Sequence, residues 1–360
     1  MAEIKAAIVG CGRISDLHVL GYRECDNASI AAVFDMNILR AQKKAKEWAV
    51  SNVYKSYEAL LDDPDVNLVE LLVPHHLHAE MTIAACQAGK HVSVQKPMAM
   101  NVREADQMIE SADKAGVLLR VYENFVFYPP YIRAKELIDS GEIGEPQMIR
   151  VHVGTGKSKT AWKVPLSAWR WRFNDEKNSG GVMVFDHGYH LFSLIYYLMG
   201  EVECVYAWID RSPVGGGIPQ WIAQVDSPAI VMFQFKSPRK YGVLDFVHTP
   251  NLVMDTNYYA DDDRVEVIGD KGIILINRCT ARTINLPELM LYKGGITSAI
   301  KVDRVEWHDS FIDCTKHMVE TIRYGGMPVL DGQTGKAVLQ FALAAQISAK
   351  FGSEVRPYEL

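Results

Sequence analysis

Ala6-Ala7-Ile8-Val9-Gly10-Cys11-Gly12-Arg13-Ile14-Ser15 is the stretch that decides the fold. Residues 6–9 are small or branched and apolar, which reads as a buried strand, and residues 16–23 continue as a helix. Between them Gly10 permits a tight turn and Gly12 lets the backbone approach a pyrophosphate. The helix that follows offers its amides and dipole to that anion. Ser15 stands where a third glycine or alanine is usual, and it is small enough for close helix packing. Gly-x-Gly occurs in many turns, so the weight of the motif comes from its surroundings.

Those surroundings begin with Asp35, 20 residues past Ser15, at the end of Val33-Phe34-Asp35. A carboxylate there hydrogen-bonds both ribose hydroxyls of an adenosine and repels a 2′-phosphate, which favours NAD over NADP. Arg40 leaves room for NADP, and a bland alternative makes Asp35 a cap for the helix starting near Asn37. Strand candidates at 6–9, 30–34, 68–73, 91–94 and 117–121 alternate with helical spacing at 38–48, 79–88 and 103–115. That alternation predicts a Rossmann-type, doubly wound parallel α/β sheet over residues 1–123.

The rest of the chain changes character. Tyr128-Pro129-Pro130 breaks it, 132–140 reads as a helix, and 148–153, 202–209, 230–235, 242–247, 264–268 and 273–276 read as strands. Only 190–199 and 335–349 look clearly helical after that point. Residues 124–360 are therefore expected to form an α+β domain with one large, open, mostly antiparallel sheet.

Composition narrows the field. The chain has 360 residues, 48% hydrophobic and 23% charged, enough for a sizeable core and two domains. A net charge of −6 without a basic stripe argues against nucleic acid. No apolar run approaches the roughly 20 residues that span a bilayer, and the start reads as a strand, so no membrane role and a cytoplasmic location are expected. The six cysteines are scattered, with no Cys-x-x-Cys pair, and are expected to be reduced.

Lys96-Pro97 and Asp186-His187-Gly188-Tyr189-His190 carry the chemistry. Oxidising a secondary alcohol moves a hydride to nicotinamide while the hydroxyl proton leaves, so a base must reach that oxygen. His190 titrates nearest neutrality and is the candidate base. Lys96, at the carboxyl end of a parallel strand, would stabilise the developing alkoxide charge and also touch cofactor and substrate. Asp186, four residues before His190, would orient the substrate or fix the histidine. His187 is a candidate substrate contact.

Other readings follow from smaller patterns. The loop 162–173 holds Trp162, Trp169, Trp171 and Phe173 among Lys163, Arg170 and Arg172, which suits stacking on sugar C–H faces and hydrogen bonding to hydroxyls. Trp162 and Arg172 are thus candidate substrate contacts, with Asn124 and Tyr128 added where the chain crosses between domains. His75-His76-x-His78 lacks accompanying cysteines or carboxylates, so no metal is expected. His78 instead supports the loop beside the cofactor.

Taken together, Gly-Cys-Gly-Arg-Ile-Ser, Val73-Pro74-His75-His76-Leu77-His78, Gly89-Lys90-His91-Val92 leading to Lys96-Pro97, Gly180-Gly181, Asp186-x-Gly188-x-His190 and Gly325-Gly326-Met327-Pro328 resemble the glucose-fructose oxidoreductase / inositol dehydrogenase (Gfo/Idh/MocA) family. The resemblance covers nearly the whole chain. It implies NAD(P)-dependent oxidation of a sugar or cyclitol hydroxyl, and a C-terminal sheet that joins copies into a homo-oligomer. It also implies that Gly10, Gly12, Arg13, Ile14, Asp35, Pro74, His78, Gln95 and Lys96 line the cofactor site. The family's usual glutamate before the lysine is Gln95 here, which removes a carboxylate near the nicotinamide.

The expected activity is NAD-dependent oxidation of one ring hydroxyl of a sugar or glycoside to a ketone, with C3 of a glucoside favoured by the aromatic loop. Alternatives are an inositol dehydrogenase, or an enzyme with tightly bound NAD that oxidises a sugar transiently to cleave a glycoside. A dinucleotide-sensing regulator is a remote alternative, since Lys96, Asp186 and His190 are all retained.

Overall fold

A computed structural model describes residues 3–162, 170–174, 176–178, 180–219, 222–277 and 280–360. Elements β1 (Ile4–Val9), α1 (Ser15–Arg23), β2 (Ala28–Phe34), α2 (Ile38–Trp48), β3 (Asn52–Val53), α3 (Tyr57–Leu61), β4 (Leu68–Leu71), α4 (His78–Gln87), β5 (His91–Gln95), α5 (Val102–Ala115) and β6 (Leu119–Tyr122) come first. They are followed by α6 (Pro129–Asp139), β7 (Pro146–Lys157), α7 (Gly188–Met199), β8 (Val202–Ile209), β9 (Ser212–Pro213), β10 (Gln224–Val225), β11 (Ala229–Phe235) and β12 (Tyr241–Val253). The chain ends with β13 (Asp261–Gly269), β14 (Gly272–Ile276), β15 (Leu289–Lys293), β16 (Ile296–Ala299), α8 (Trp307–Tyr324) and α9 (Gly332–Phe351).

Two compact units result, 1–124 with 310–339, and 125–309 with 340–360. A simple division at 123/124 therefore misses that residues 310–339 return to the first unit. The reason is burial. Met318 and Val319 of α8 pack with Ile4, Ala6, Ile8, Tyr22 and Val33 in one apolar cluster, and Val121 N–H donates to Leu330 O at 2.8 Å.

The first unit holds a parallel sheet in the order β3-β2-β1-β4-β5-β6. Its strands are near-continuous apolar runs because both faces are covered. The helix ends obey their local chemistry. On α5, Asn101 Oδ1 accepts the Glu104 N–H at 2.9 Å while Glu104 accepts from Asn101 Nδ2 at 2.9 Å, and Gly116 closes the helix with φ 65°.

The second unit is built on a sheet in the order β16-β15-β14-β13-β7-β12-β11-β8. All neighbours run antiparallel except β7 and β12, so the sheet is mixed and mostly antiparallel. Its inner face is apolar, with Val151, Val205, Val231, Leu244 and Val265 buried. Phe192 of α7 and Phe341 of α9 meet at a ring separation of 4.6 Å, and Phe341 lies 5.1 Å from Phe233 of β11.

The expectation of only two helices after residue 148 fails at α8. Its apolar positions at 307, 311, 314, 318 and 322 have helical spacing, but buried Ser310, Thr315 and Thr321 interrupt the stripe. The strands β3, β9, β10, β15 and β16 and the helix α3 also go beyond the sequence reading. Each is short, with too few turns or alternations to register as a period.

His317 on α8 links burial to pH. Its Nε2 accepts the Val329 N–H at 3.0 Å, and burial together with the Arg120 guanidinium lowers the imidazole to about 4. An unfolded chain protonates it near 6.5, so the contribution is complete above that pH and is lost as pH falls toward 4. With the ring partly exposed, about 1–2 kcal/mol of unfolding free energy should disappear for this group between pH 7 and pH 4.5. His317→Gln should flatten that loss in urea unfolding; equal losses in parent and variant would refute the assignment.

Candidate functional site

In the first unit the chain order reverses between β1 and β4, and ligands of such sheets bind outside the carboxyl ends of the strands at that point. Gly10 leaves β1 with φ 99°, and a Cβ there would sit 2.3 Å from Leu72 O. Only glycine allows the two strand ends to approach this closely. A Cβ on Gly12, by contrast, would meet nothing within 4 Å. No side chain caps α1 at Ile14, which keeps that helix end open to an anion. Ser15 is buried and its hydroxyl donates to Gly12 O at 2.6 Å, so the serine packs closely as expected and also closes the turn. Arg13 is half exposed, 3.8 Å from Asp16.

Asp35 is more than a ribose candidate. Its carboxylate accepts the Cys11 N–H at 2.9 Å and the Asn37 N–H at 2.7 Å, and Arg40 Nη1 lies 3.4 Å away. It fastens the glycine turn to the end of β2 and still has lone pairs for hydroxyl donors. The capping of α2 falls to Asn37, whose side chain accepts the Arg40 N–H. Burial, and then Asp35, push the neighbouring Cys11 thiol up to about 12. Open space at Gly12, an uncapped helix end and a carboxylate at the end of β2 fit an NAD with its pyrophosphate at the turn.

Two further strand ends shape the same edge. Pro74 precedes the single turn His75–Leu77, and Leu77 N–H donates back to Pro74 O at 2.9 Å. His78 is fully buried, with Nδ1 2.8 Å from Pro97 O and Nε2 3.0 Å from Val73 O. It ties the loop after β4 to the Lys96-Pro97 loop after β5. Within that second loop the peptide is cis, and Lys96 N–H donates to Gln95 Oε1 at 2.8 Å.

In the second unit a π-helical turn, Val182–His187, leads into α7, and such turns recur at functional sites. Asp226, buried, accepts the Met183 and Val184 N–H groups at 2.7 Å each. Gly181 has φ 96°, and its Cβ would lie 2.5 Å from the Asp226 carboxyl. This explains the second glycine of Gly180-Gly181. Burial raises the Asp226 carboxyl above its ordinary value although those N–H groups oppose the shift.

The turn places the candidates. Arg172 Nε donates to Asp186 Oδ2 at 2.7 Å, so a candidate substrate contact meets the candidate that orients the substrate or fixes the histidine. Arg172 also lies 4.3 Å over the Trp171 ring. His190 stacks on Phe125 at 4.3 Å and 12°, with His187 edge-on to it at 5.9 Å. His187 faces two acids, Asp261 at 3.7 Å and Asp263 at 3.5 Å. Trp162 packs edge-on against Tyr258, Tyr259 and Trp307. Residues 163–169, including Lys163 and Trp169 of the aromatic loop, lie outside the described residues.

Two further candidates have partners within the fold. Tyr128 is fully buried and its hydroxyl donates to Val305 O at 2.8 Å; Asn124 is buried and donates to Ser310 Oγ at 2.9 Å. Residues missed from the sequence are Asp226, Asp261, Asp263 and Asn178, whose amide donates to Arg172 O at 2.8 Å and Gly181 O at 3.2 Å. Asp226-Ser227-Pro228 stands out as an acidic break beside a strand and Asp261-Asp262-Asp263 opens β13, yet nothing local reveals that Asp226 holds a distant turn or that Asp261 and Asp263 face His187.

Residues 4–123 match the family described as oxidoreductase family, NAD-binding Rossmann fold, and 131–275 match the GFO/IDH/MocA C-terminal domain. The chain belongs to the Gfo/Idh/MocA family. It is similar to myo-inositol 2-dehydrogenase of Thermotoga maritima, 28% identical over 99% of each chain. Levoglucosan dehydrogenase of Pseudarthrobacter phenanthrenivorans is 26% identical over 77% of this chain and 74% of its own. Among solved structures, a probable dehydrogenase from Thermotoga maritima superposes with a TM-score of 0.78 at 26% identity over 99% of both chains. The chain is thus an NAD-dependent oxidoreductase acting on CH–OH groups. Among the described residues no helix is long and apolar enough to cross a membrane.

Removing the Asp35 carboxylate tests its double duty. Asp35→Ala should weaken NADH binding about 10- to 100-fold, as for loss of charge-assisted hydrogen bonds, when followed by NADH fluorescence titration. Unchanged affinity would leave Asp35 as a structural fastening alone.

Proposed function

We propose that this chain oxidises a secondary ring hydroxyl of a sugar or glycoside to a ketone, with C3 of a glucoside as the favoured position. The observation that carries the reading is Lys96 at the carboxyl end of β5, on the edge where the glycine turn leaves β1. NAD, when bound, supplies the hydride acceptor. The chain's own residues handle the proton and the substrate. His190, held flat on Phe125, takes the hydroxyl proton. Lys96 donates a hydrogen bond to the oxygen as charge builds on it. Asp186, fixed by Arg172, and His187, held between Asp261 and Asp263, orient neighbouring hydroxyls. The Trp162, Tyr258, Tyr259 and Trp307 group supports a sugar reading because aromatic faces suit sugar C–H faces.

A cyclitol is the second reading, favoured by similarity along nearly the whole chain to a myo-inositol 2-dehydrogenase. Incubation with NAD and a panel of glycosides, free aldoses and inositols, read by NADH absorbance and mass spectrometry, separates the two. A keto-glycoside supports the first reading; inososes alone support the second; lactones alone refute both. Keto product without NADH accumulation would indicate a cofactor that stays bound and is recycled. Lys96→Ala should lower kcat at least ~100-fold while NADH binding persists; full activity would refute its role.

The outer face of the second unit's sheet supports a homo-oligomer. Trp208 and Tyr206 of β8 stand opposite Ile230 and Met232 of β11, and Trp208, Ile230 and Met232 are exposed, as is Tyr241 on β12. Apolar side chains exposed in a row mark a contact surface. Light scattering after chromatography should give a multiple of 40.4 kDa, and Met232→Glu should reduce it toward the monomer; a monomeric parent would refute the surface.

A further inference from the structure

Beneath the edge of the parallel sheet lies a chain of polar groups that the reaction does not touch. Glu70 on β4 and His18 on α1 are both fully buried, and Glu70 is hydrogen-bonded by His18 Nδ1 and by the Tyr22 hydroxyl. His18 Nε2 lies 3.0 Å from Gln95 Nε2, and Gln95 Oε1 accepts the Lys96 N–H at 2.8 Å.

The donors and acceptors in this chain allow one arrangement. A backbone N–H only donates, so the Gln95 atom facing Lys96 is its oxygen, and its NH2 group faces His18. An amide nitrogen cannot accept, so His18 Nε2 carries a lone pair. The ring proton is then on Nδ1 and is donated to Glu70. The groups facing the ring come from every element packed against it. Tyr22 comes from α1, Glu70 from β4, Gln95 from β5, Arg120 and Tyr122 from β6, and Phe311 from α8, with the Tyr122 ring 3.9 Å and the Phe311 ring 5.4 Å from His18. Burial acts to raise the Glu70 carboxyl, which nonetheless lies below its ordinary value, with the hydrogen bonds from His18 and Tyr22 and the Arg120 guanidinium among the causes. The buried Arg120 guanidinium supplies the compensating positive charge, so a second one on His18 is not required.

We propose that Glu70, His18 and Gln95 form a positioning chain for Lys96, in which Gln95 holds His18 as the neutral Nδ1–H tautomer. A carboxylate at position 95, the family's usual form, has no proton to give His18 Nε2 and would draw one onto it. Gln95 therefore sets the charge of the layer beneath the lysine as well as the lysine's place.

The inference rests on Lys96 acting as proposed above, and its test has a readout independent of turnover. In protein labelled with 15N-histidine, long-range 1H–15N spectra distinguish the two tautomers and the imidazolium, and loss of one signal set in His18→Gln assigns His18. The parent should show His18 as Nδ1–H at pH 7, and Gln95→Glu should show both nitrogens protonated. Gln95→Met, which removes the amide but leaves Glu70 and His18, should lower kcat about 10- to 100-fold, as misplacing a reacting group does. A parent His18 that is doubly protonated, or protonated on Nε2, overturns the tautomer; Gln95→Glu with a neutral His18 overturns the charge assignment. If Lys96→Ala is inactive yet Gln95→Met is as fast as the parent, the positioning role alone is overturned. Full turnover in Lys96→Ala overturns the function of the lysine whatever the spectra show.

Discussion

The approach of Gly10 to the Leu72 carbonyl is the constraint on which the cofactor edge depends. A side chain at position 10 would push β1 and β4 apart, because its first carbon would lie 2.3 Å from a backbone oxygen. With glycine there, Leu72 N–H reaches Val9 O at 2.7 Å and Gly10 N–H reaches Phe34 O at 2.8 Å. Three strand ends are drawn together by the absence of one carbon. The turn, the start of α1 and the loop after β4 then follow from chain connectivity.

Three loops at the two candidate sites are held in the same way, by a side-chain acceptor taking up main-chain N–H groups. Asp35 holds Cys11 and Asn37, Asp226 holds Met183 and Val184, and Gln95 holds Lys96. Loops lack ladder partners for their amides, and a buried amide left unpaired costs free energy comparable to a lost hydrogen bond. Short acidic or amide side chains meet that need while leaving the outer surface of the loop clear. The candidate residues are thus carried on backbone that is fixed by side chains.

The first unit was largely legible in the sequence because its signals are local. The apolar run at 6–9, the glycine turn and Asp35 lie within one β-α-β stretch, and strand and helix periods repeat through residue 122. The second unit was legible as strands and less so as a site. Asp226 acts on a turn 42 residues earlier in the chain, and Asp263 faces His187 across a longer interval still. Spacing in sequence carries no trace of such partners. The burial of Tyr128 and the bond from its hydroxyl to Val305 O were likewise not legible, because the partner lies far along the chain. His18 and Glu70 were invisible for a related reason, since a buried polar pair needs a map of contacts before it differs from two surface residues.

The return of residues 310–339 to the first unit bears on how such a protein is inherited. Arg120 and Tyr122 on β6 are buried, and their partners come from α8: Arg120 donates to Cys314 O at 2.5 Å, and Tyr122 donates to Phe311 O at 2.9 Å. A chain ending at residue 124 would leave a guanidinium and a phenol against an uncovered apolar layer. The dinucleotide unit is therefore not a cassette that recombination can move by a single crossover. Its exchange between genes requires two joints, and α8 must travel with the strands it covers.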